Sequence, residues 1–154
     1  MTSMDRDTAP GLWLVYDGDC AFCCAVARAF QRLDLVPAPR CKAFQEFQGK
    51  EAERLWDAGI RNELIVYEPK SGALRSGVDG FLWILAPTWL RPLVFVASLA
   101  PAQALLNLCY RTIAYNRQFL APKDPARIRC ACDPDFEPGY RLAWLMILAL
   151  PVLA

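Results

Sequence analysis

The chain has 154 residues and a formal net charge of +1, so it is long enough for one domain with a core and gives no sign of a nucleic-acid partner. It contains no histidine, which excludes Ser–His and Cys–His catalysis, His-ligated zinc and haem with a histidine ligand. Its seven cysteines are an odd number, and the polar residues 1–10 do not read as a secretory signal. We therefore expect a cytoplasmic protein with reduced or cycling thiols.

The first part of the chain predicts alternating strands and helices. In chain order, the expected elements are a disordered segment at 1–10, a strand at 12–16, a helix at 20–35, a strand near 40–44, a helix at 51–57, a strand at 63–68 and a hairpin strand at 73–76. The apolar face of the first helix is predicted to be Phe22, Val26, Ala29, Phe30 and Leu33. About four strands with helices on both faces make an α/β mixed sheet in the thioredoxin-like order.

The rest of the chain predicts extra C-terminal helices. Helical patterns cover 78–86, 89–99 and 102–119, and an irregular Cys-x-Cys segment and an apolar tail fill 121–154. The tail residues 142–154 are uncharged, but as a helix they would reach about 20 Å, short of a hydrocarbon core of roughly 30 Å. Residues 92–110 are also uncharged, but Pro101 interrupts them and predicts the first turn of a new helix, with Ser98 near its start. Packed helices or an interfacial patch are favoured over a span, so peripheral membrane contact is a further expectation.

The motif that carries chemistry follows the first strand. The turn Asp17-Gly18 leads to Cys20-x-x-Cys23 at the start of a helix, where unpaired N–H groups and the macrodipole stabilise a thiolate. Cys20 is the predicted nucleophile and Cys23 the predicted resolving thiol, since side chains three residues apart share a helix face. Cys24, four residues from Cys20, remains an alternative resolver.

Two carboxylates complicate the charge balance of this motif. Asp17 and Asp19 disfavour a thiolate unless they turn away or cap the helix, and Asp19 is the candidate cap. The sequence alone leaves the direction of the net shift in the Cys20 pKa open.

The segment Tyr16-Asp17-Gly18-Asp19-Cys20-Ala21-Phe22-Cys23 resembles the signature of the DCC-type thiol–disulfide oxidoreductases. Residues 110–117, Tyr-Arg-Thr-Ile-Ala-Tyr-Asn-Arg, are similar to the distal helix of that family, so the resemblance covers roughly residues 12–120. It implies a thioredoxin-like fold and a redox role for Cys20 and Cys23. The chain departs from thioredoxins at Arg61-Asn62-Glu63, where they place a cis-proline that guides the substrate backbone.

Supporting roles are predicted for other residues of the two motifs. Asn116 is expected to hydrogen-bond the loop near Asp17, and Arg117 to pair with a carboxylate there; the bland alternative for both is a solvated helix face. Gly18 supplies the turn. The reaction requires no organic cofactor. Its expected substrate is a disulfide or dithiol of a protein or small molecule, and its expected electron donor is a reductase or a small thiol.

Other classes of function compete with this interpretation. Four thiolates for zinc or an iron–sulfur cluster could come from Cys20, either Cys23 or Cys24, and the pair Cys130 and Cys132. A different hypothesis makes Cys130 and Cys132 a second redox relay. Residues 15–19 also resemble the Asp-x-Asp opening of haloacid-dehalogenase phosphatases, although Ala21 stands where that signature has Thr or Val. A non-catalytic thioredoxin-like domain that binds partners through its apolar 80–110 surface is the remaining alternative.

Overall fold

A four-stranded mixed sheet forms the centre of the molecule. The computed structural model describes residues 11–120 and 136–153. The strand order is β2-β1-β3-β4, with β1 parallel to β2 and antiparallel to β3, and β3 antiparallel to β4. The strands are β1 (Trp13–Tyr16), β2 (Cys41–Ala43), β3 (Ile65–Glu68) and β4 (Ala73–Ser76). The sheet is flanked by helices, which confirms an α/β fold consistent with the thioredoxin-like class.

The apolar run of β1 is explained by burial on both faces of the sheet. Leu14 packs in a cluster that includes Ala27, Val36 and Ile84, whereas Val15 packs with Leu55 and Ile60 on the other face. Because successive side chains of a strand point to opposite faces, a strand covered on both sides must be apolar throughout.

Three helices cover the sheet: α1 (Ala21–Arg32), α2 (Gly49–Asp57) and α3 (Gly77–Leu85). The predicted face of α1 is partly wrong, because Ala29 and Leu33 are exposed while Cys23 and Ala27 are buried. The small side chains of Cys23 and Ala27 lie four residues apart and let the helix approach the sheet closely. The helix also ends before 35, since Asp34 leaves the helical region with a φ of 54°.

The C-terminal helices are α4 (Arg91–Ala97), α5 (Ala100–Leu120) and α6 (Pro138–Leu153). Pro101 lies in the first turn of α5 as predicted, but the Ser98 hydroxyl donates back to the carbonyl of Val94, 2.7 Å away, within α4. The rings of Tyr115 and Tyr140 pack α6 against the second half of α5. The predicted disordered segment at 1–10 and most of the irregular segment, including Cys130 and Cys132, lie outside the described residues.

The helices of the described residues differ in whether their length and composition would suit a membrane span. No single helix among them is long and apolar enough to cross a bilayer. Taken together, Arg91–Ala97 and Ala100–Arg117 pass by length and composition, but the two helices meet at an angle of 90°.

Candidate active site

Cys20 caps the N-terminus of α1. Strand β1 ends at Tyr16, and the Cys20 N–H donates to the carbonyl of Asp17 at 3.2 Å, which turns the chain into the helix. The Cys20 backbone is extended, and its Sγ accepts the N–H of Cys23 at 3.3 Å. The sulfur therefore takes the position that a capping oxygen usually occupies, and it faces the positive end of the helix.

Cys20 and Cys23 approach each other to 3.1 Å, and both are free cysteines. The pKa of Cys20 is lowered to about 6, first by a hydrogen bond from the Cys23 thiol, then by the Cys23 N–H and the positive charge of Arg117. These effects outweigh burial and the carboxylate of Asp17, which raise it. The pKa of Cys23 is raised, because its thiol donates to Cys20 and because it is buried. One thiol is thus set to ionise and the other to hold its proton.

The side chains of the reactive pair are both buried. Cys20 and Cys23 are each 2% exposed and form a small cluster with Leu64. Half-buried aromatic and aliphatic side chains pack against this cluster, namely Tyr16, Phe22, Val26 and Phe81. A disulfide substrate therefore reaches Cys20 only when part of this cover moves.

Asp17 is held at the end of β1 by a ring of donors. Its Oδ1 accepts the N–H of Asp19 and the Nε2 of Gln45, each at 3.0 Å. Asp17 is buried, while Asp19 is partly exposed. The expectation that Asp19 caps α1 is wrong, because Cys20 itself fills the cap position.

Gln45 is a site residue that sequence reasoning missed. Its Oε1 accepts the Gly18 N–H at 3.0 Å, so one amide fixes both Asp17 and Gly18. A Cβ at Gly18 would lie 2.8 Å from this oxygen and 3.0 Å from the Cβ of Ala43, so a larger residue would have to displace the Gln45 amide from Gly18. The parallel pairing of Tyr16 with Ala43 places Gly18 beside Gln45 two residues later. Gln45 could have been predicted as a site residue, because sites lie at the carboxyl ends of parallel strands and Gln45 follows the end of β2.

Arg117 brings α5 to the cysteine site. It is 3% exposed, so the solvated-face alternative is wrong for this residue. Its Nη2 donates to the carbonyl of Arg61 at 2.6 Å and its Nη1 to that of Asn62 at 3.3 Å. The same Nη2 lies 3.9 Å from Asp17 Oδ2, which is the predicted carboxylate pairing. Arg117 therefore holds the loop before β3, where thioredoxins carry their proline.

Asn116 contributes differently from the prediction. Its Nδ2 donates to the carbonyls of Thr112 at 2.7 Å and Tyr140 at 3.1 Å, and within the described ranges its Oδ1 accepts no hydrogen bond. The expected bond to the Asp17 loop is therefore wrong. The reason is that Asn116 points one helix position away from Arg117, toward α6.

Cys24 lies beside the pair but is oriented away from it. Its thiol donates to the carbonyl of Gly18 at 3.3 Å, and it is partly exposed. Burial and the negative charge of Cys20 raise its pKa. This orientation favours Cys23 over Cys24 as the partner of Cys20.

The metal alternative receives no support from the described ranges. Within residues 11–120 and 136–153, no three potential ligands of the Cys, Asp or Glu type converge on one point. Cys130 and Cys132, which that alternative and the relay both require, lie outside these ranges, so both stay predictions. The phosphatase alternative needs an aspartate oxygen available for attack, whereas Asp17 Oδ1 already accepts the N–H of Asp19 and the Nε2 of Gln45.

Comparison with known proteins agrees with this geometry. The family model of the DCC1-like thiol-disulfide oxidoreductases matches residues 14–123, from β1 to just beyond α5. Comparisons with curated proteins and with solved structures give no match. The matched range contains Asp17, Cys20, Cys23 and Arg117 together.

Proposed function

The chain belongs to the DCC1-like thiol–disulfide oxidoreductase family, and from this premise we propose that it exchanges disulfides through Cys20 and Cys23. The observation that carries the proposal is the placement of two free cysteines 3.1 Å apart at the N-terminus of α1, where the Cys23 N–H donates to the Cys20 sulfur at 3.3 Å. This arrangement lowers the pKa of Cys20 to about 6 and raises that of Cys23. A nucleophile needs thiolate character at the working pH, whereas the resolving thiol must keep its proton until it is needed.

In the first step, the Cys20 thiolate attacks one sulfur of the substrate disulfide. The substrate S–S bond breaks, a mixed disulfide forms at Cys20, and the other substrate sulfur leaves as a thiolate that takes a proton from water. The Cys23 N–H, which bonds the Cys20 sulfur at 3.3 Å, supports the reduced thiolate before this attack.

In the second step, Cys23 loses its proton as it attacks the Cys20 sulfur. The bond between Cys20 and the substrate breaks, and the departing thiolate takes up the proton that Cys23 gives up. The substrate has then gained two electrons and two protons, and the protein holds a Cys20–Cys23 disulfide. A small thiol or a reductase, itself oxidised in turn, restores the two thiols.

The same two steps in reverse oxidise a dithiol substrate. The net direction depends on the reduction potential of the Cys20–Cys23 couple relative to its compartment, where 30 mV corresponds to about 1.4 kcal/mol. We propose a cytoplasmic setting, because reduced or cycling thiols suit the cysteine content of the chain.

The test is a redox titration in glutathione buffers, with acid quenching, alkylation and mass mapping of the disulfides. We expect one two-electron transition that joins Cys20 to Cys23. A Cys24→Ser variant is the matched control and should titrate at the same potential, because Cys24 bonds Gly18 and not Cys20.

Two other results would overturn parts of the proposal. A Cys20–Cys24 disulfide in the oxidised protein would remove Cys23 as the resolving thiol. A Cys20 that stays reduced across the whole titration would remove disulfide exchange as the function.

A further inference from the structure

Exposed apolar side chains form a surface at the junction of α4 and α5. We call residues 89–108 the elbow, since α4 and the first half of α5 meet there at 90°. Its largest exposed side chains are Trp89, which is 85% exposed, and Phe95, which is 72% exposed. Further exposed apolar side chains of the elbow are Leu93, Val96, Leu99 and Leu105. An exposed apolar patch of this kind marks an interaction site.

The fold itself does not use these side chains. None of residues 89–108 is buried, whereas the second half of α5 places Thr112, Ala114, Asn116 and Arg117 in the interior. The second half of α5 therefore anchors the helix to the sheet domain, and the first half carries its apolar residues outward.

The charged side chains within α4, α5 and α6 are all cationic, while a carboxylate from α3 reaches the elbow at Asp79, whose Oδ1 accepts a hydrogen bond from Gln103 Nε2 at 2.7 Å. Helices α4, α5 and α6 contain no Asp or Glu, and Arg91 stands exposed at the start of α4. Arginine beside an apolar surface matches the anionic headgroups of a lipid bilayer, whose surface potential attracts such cations. A second copy of the chain would instead bring two surfaces of the same sign together across a symmetric interface.

The dimensions of the elbow fit the membrane interface and not a crossing. The seven residues of α4 reach about 10 Å and residues 100–108 about 14 Å, both short of the roughly 30 Å hydrocarbon core. The second half of α5 cannot leave the sheet for lipid while its buried face holds Arg117 beside Asp17. Trp89, which precedes α4, belongs to the residue type that concentrates at the headgroup level.

We propose that the elbow binds the surface of an anionic lipid bilayer, with its apolar side chains in the boundary between headgroups and acyl chains and Arg91 among the headgroups. The proposal is independent of disulfide exchange, because the elbow contains none of the residues of the cysteine site.

Flotation with phosphatidylcholine vesicles, with and without phosphatidylglycerol, tests this proposal. We expect binding to the anionic vesicles that weakens as salt is added. The double variant Trp89→Ser/Phe95→Ser should bind about a hundredfold more weakly, roughly tenfold for each aromatic side chain removed. Arg91→Gln should weaken binding about fivefold. Leu33→Ser is the matched control, since Leu33 is 67% exposed on α1, far from the elbow in sequence, and should bind like the wild type.

Fluorescence quenching by brominated lipids gives a second reading that does not depend on the double variant. Quenching should occur in the wild type and be reduced in Trp89→Phe, which keeps an apolar ring at that position. Absence of binding to anionic vesicles, or equal binding by the double variant, would overturn the proposal. A dimer in buffer that the double variant dissociates would show that a second copy covers the elbow instead.

Discussion

Large apolar side chains are mostly buried in residues 11–85 and mostly exposed in helices α4–α6. In the first region the large apolar residues turn inward around β1, and the exposed exceptions are Leu33 and Trp56. In the second region, large apolar side chains are exposed along α4, along the first half of α5 and on α6, including Leu142, Leu145 and Met146. The first region closes on its own core, whereas the second presents a surface that its own fold leaves uncovered.

The second half of α5 joins the two regions. Arg117 reaches from this helix to the carbonyls of Arg61 and Asn62 and lies beside Asp17. The reactive cysteines therefore belong to the sheet region, and α5 links that region to the exposed apolar surface.

The largest expected effect separates the chemistry of the two regions. Cys20→Ser should lower the rate of disulfide exchange about a thousandfold, because a serine hydroxyl does not replace the thiolate nucleophile. Vesicle binding by the same variant should equal that of the wild type. An insulin-reduction assay and vesicle flotation on one preparation measure both. Retained exchange activity would contradict the assignment of the nucleophile, and loss of vesicle binding would contradict the separation of the two regions.

The next effect compares one leucine from each region. Leu14→Ala should lower the free energy of unfolding by about 3 kcal/mol, because it opens a cavity in a fully buried cluster. Leu93→Ala, at an exposed position of the elbow, should change it by no more than about 0.5 kcal/mol. Urea denaturation of the protein without lipid measures both values. Equal losses would mean that the elbow is part of the folding core.

Arg117 tests the link between the regions. Arg117→Lys keeps the charge but loses the planar pair of donors to Arg61 and Asn62, so it should cost about 2 kcal/mol of stability. Arg117→Met also removes the charge, and the Cys20 pKa should rise above its wild-type value because Arg117 lowers it. Urea denaturation and pH-dependent alkylation measure the two effects. An unchanged Cys20 pKa in Arg117→Met would show that the guanidinium does not act on the thiolate.

The most gradual of the expected effects, measured per pH unit, is a dependence of stability on pH. The folded pKa of Cys20, about 6, lies below the ordinary value of 9.0, so the thiolate contributes stability that is fully present above pH 9 and is lost as the pH falls toward 6. Between these values the reduced protein should gain at most about 1.4 kcal/mol per pH unit from this group.

The control for this slope is Cys20→Ala, which lacks the titrating group. Its stability should vary less steeply between pH 6 and pH 9 than that of the wild type, as measured by urea denaturation at each pH. Above pH 9 the raised pKa of Cys23 acts in the opposite direction, because the unfolded chain then ionises a thiol that the folded protein keeps protonated. Identical slopes in the two proteins would contradict a lowered Cys20 pKa.

The order of the elements and the position of the reactive pair were predictable from local patterns. The apolar run of β1, the turn after it and the spacing of Cys20 and Cys23 are all contained within a short stretch of sequence. The supporting contacts were harder, because Gln45 and Arg117 reach this stretch from distant positions along the chain. The parallel pairing of β1 and β2 would have located Gln45, since it sets which residues lie side by side.

Exposure was the least predictable property. Apolar residues at helical spacing usually predict a packed face, but Leu33 and the elbow follow that spacing and are exposed to solvent. Conversely, Arg117 has the residue type of a surface position and is buried. Burial depends on which elements pack together, and an apolar or charged residue type alone does not specify that.

The most direct test of the account is the pH dependence of alkylation at each cysteine, followed by mass spectrometry on the reduced protein. The alkylation rate of Cys20 should rise with a midpoint near pH 6, while Cys23 stays unmodified across the same range. Exposed Cys109 serves as the internal reference for access, and burial should keep the limiting rate at Cys20 below that of an exposed thiolate. A Cys20 midpoint near the ordinary value of 9.0, or faster modification of Cys23 than of Cys20, would contradict the account.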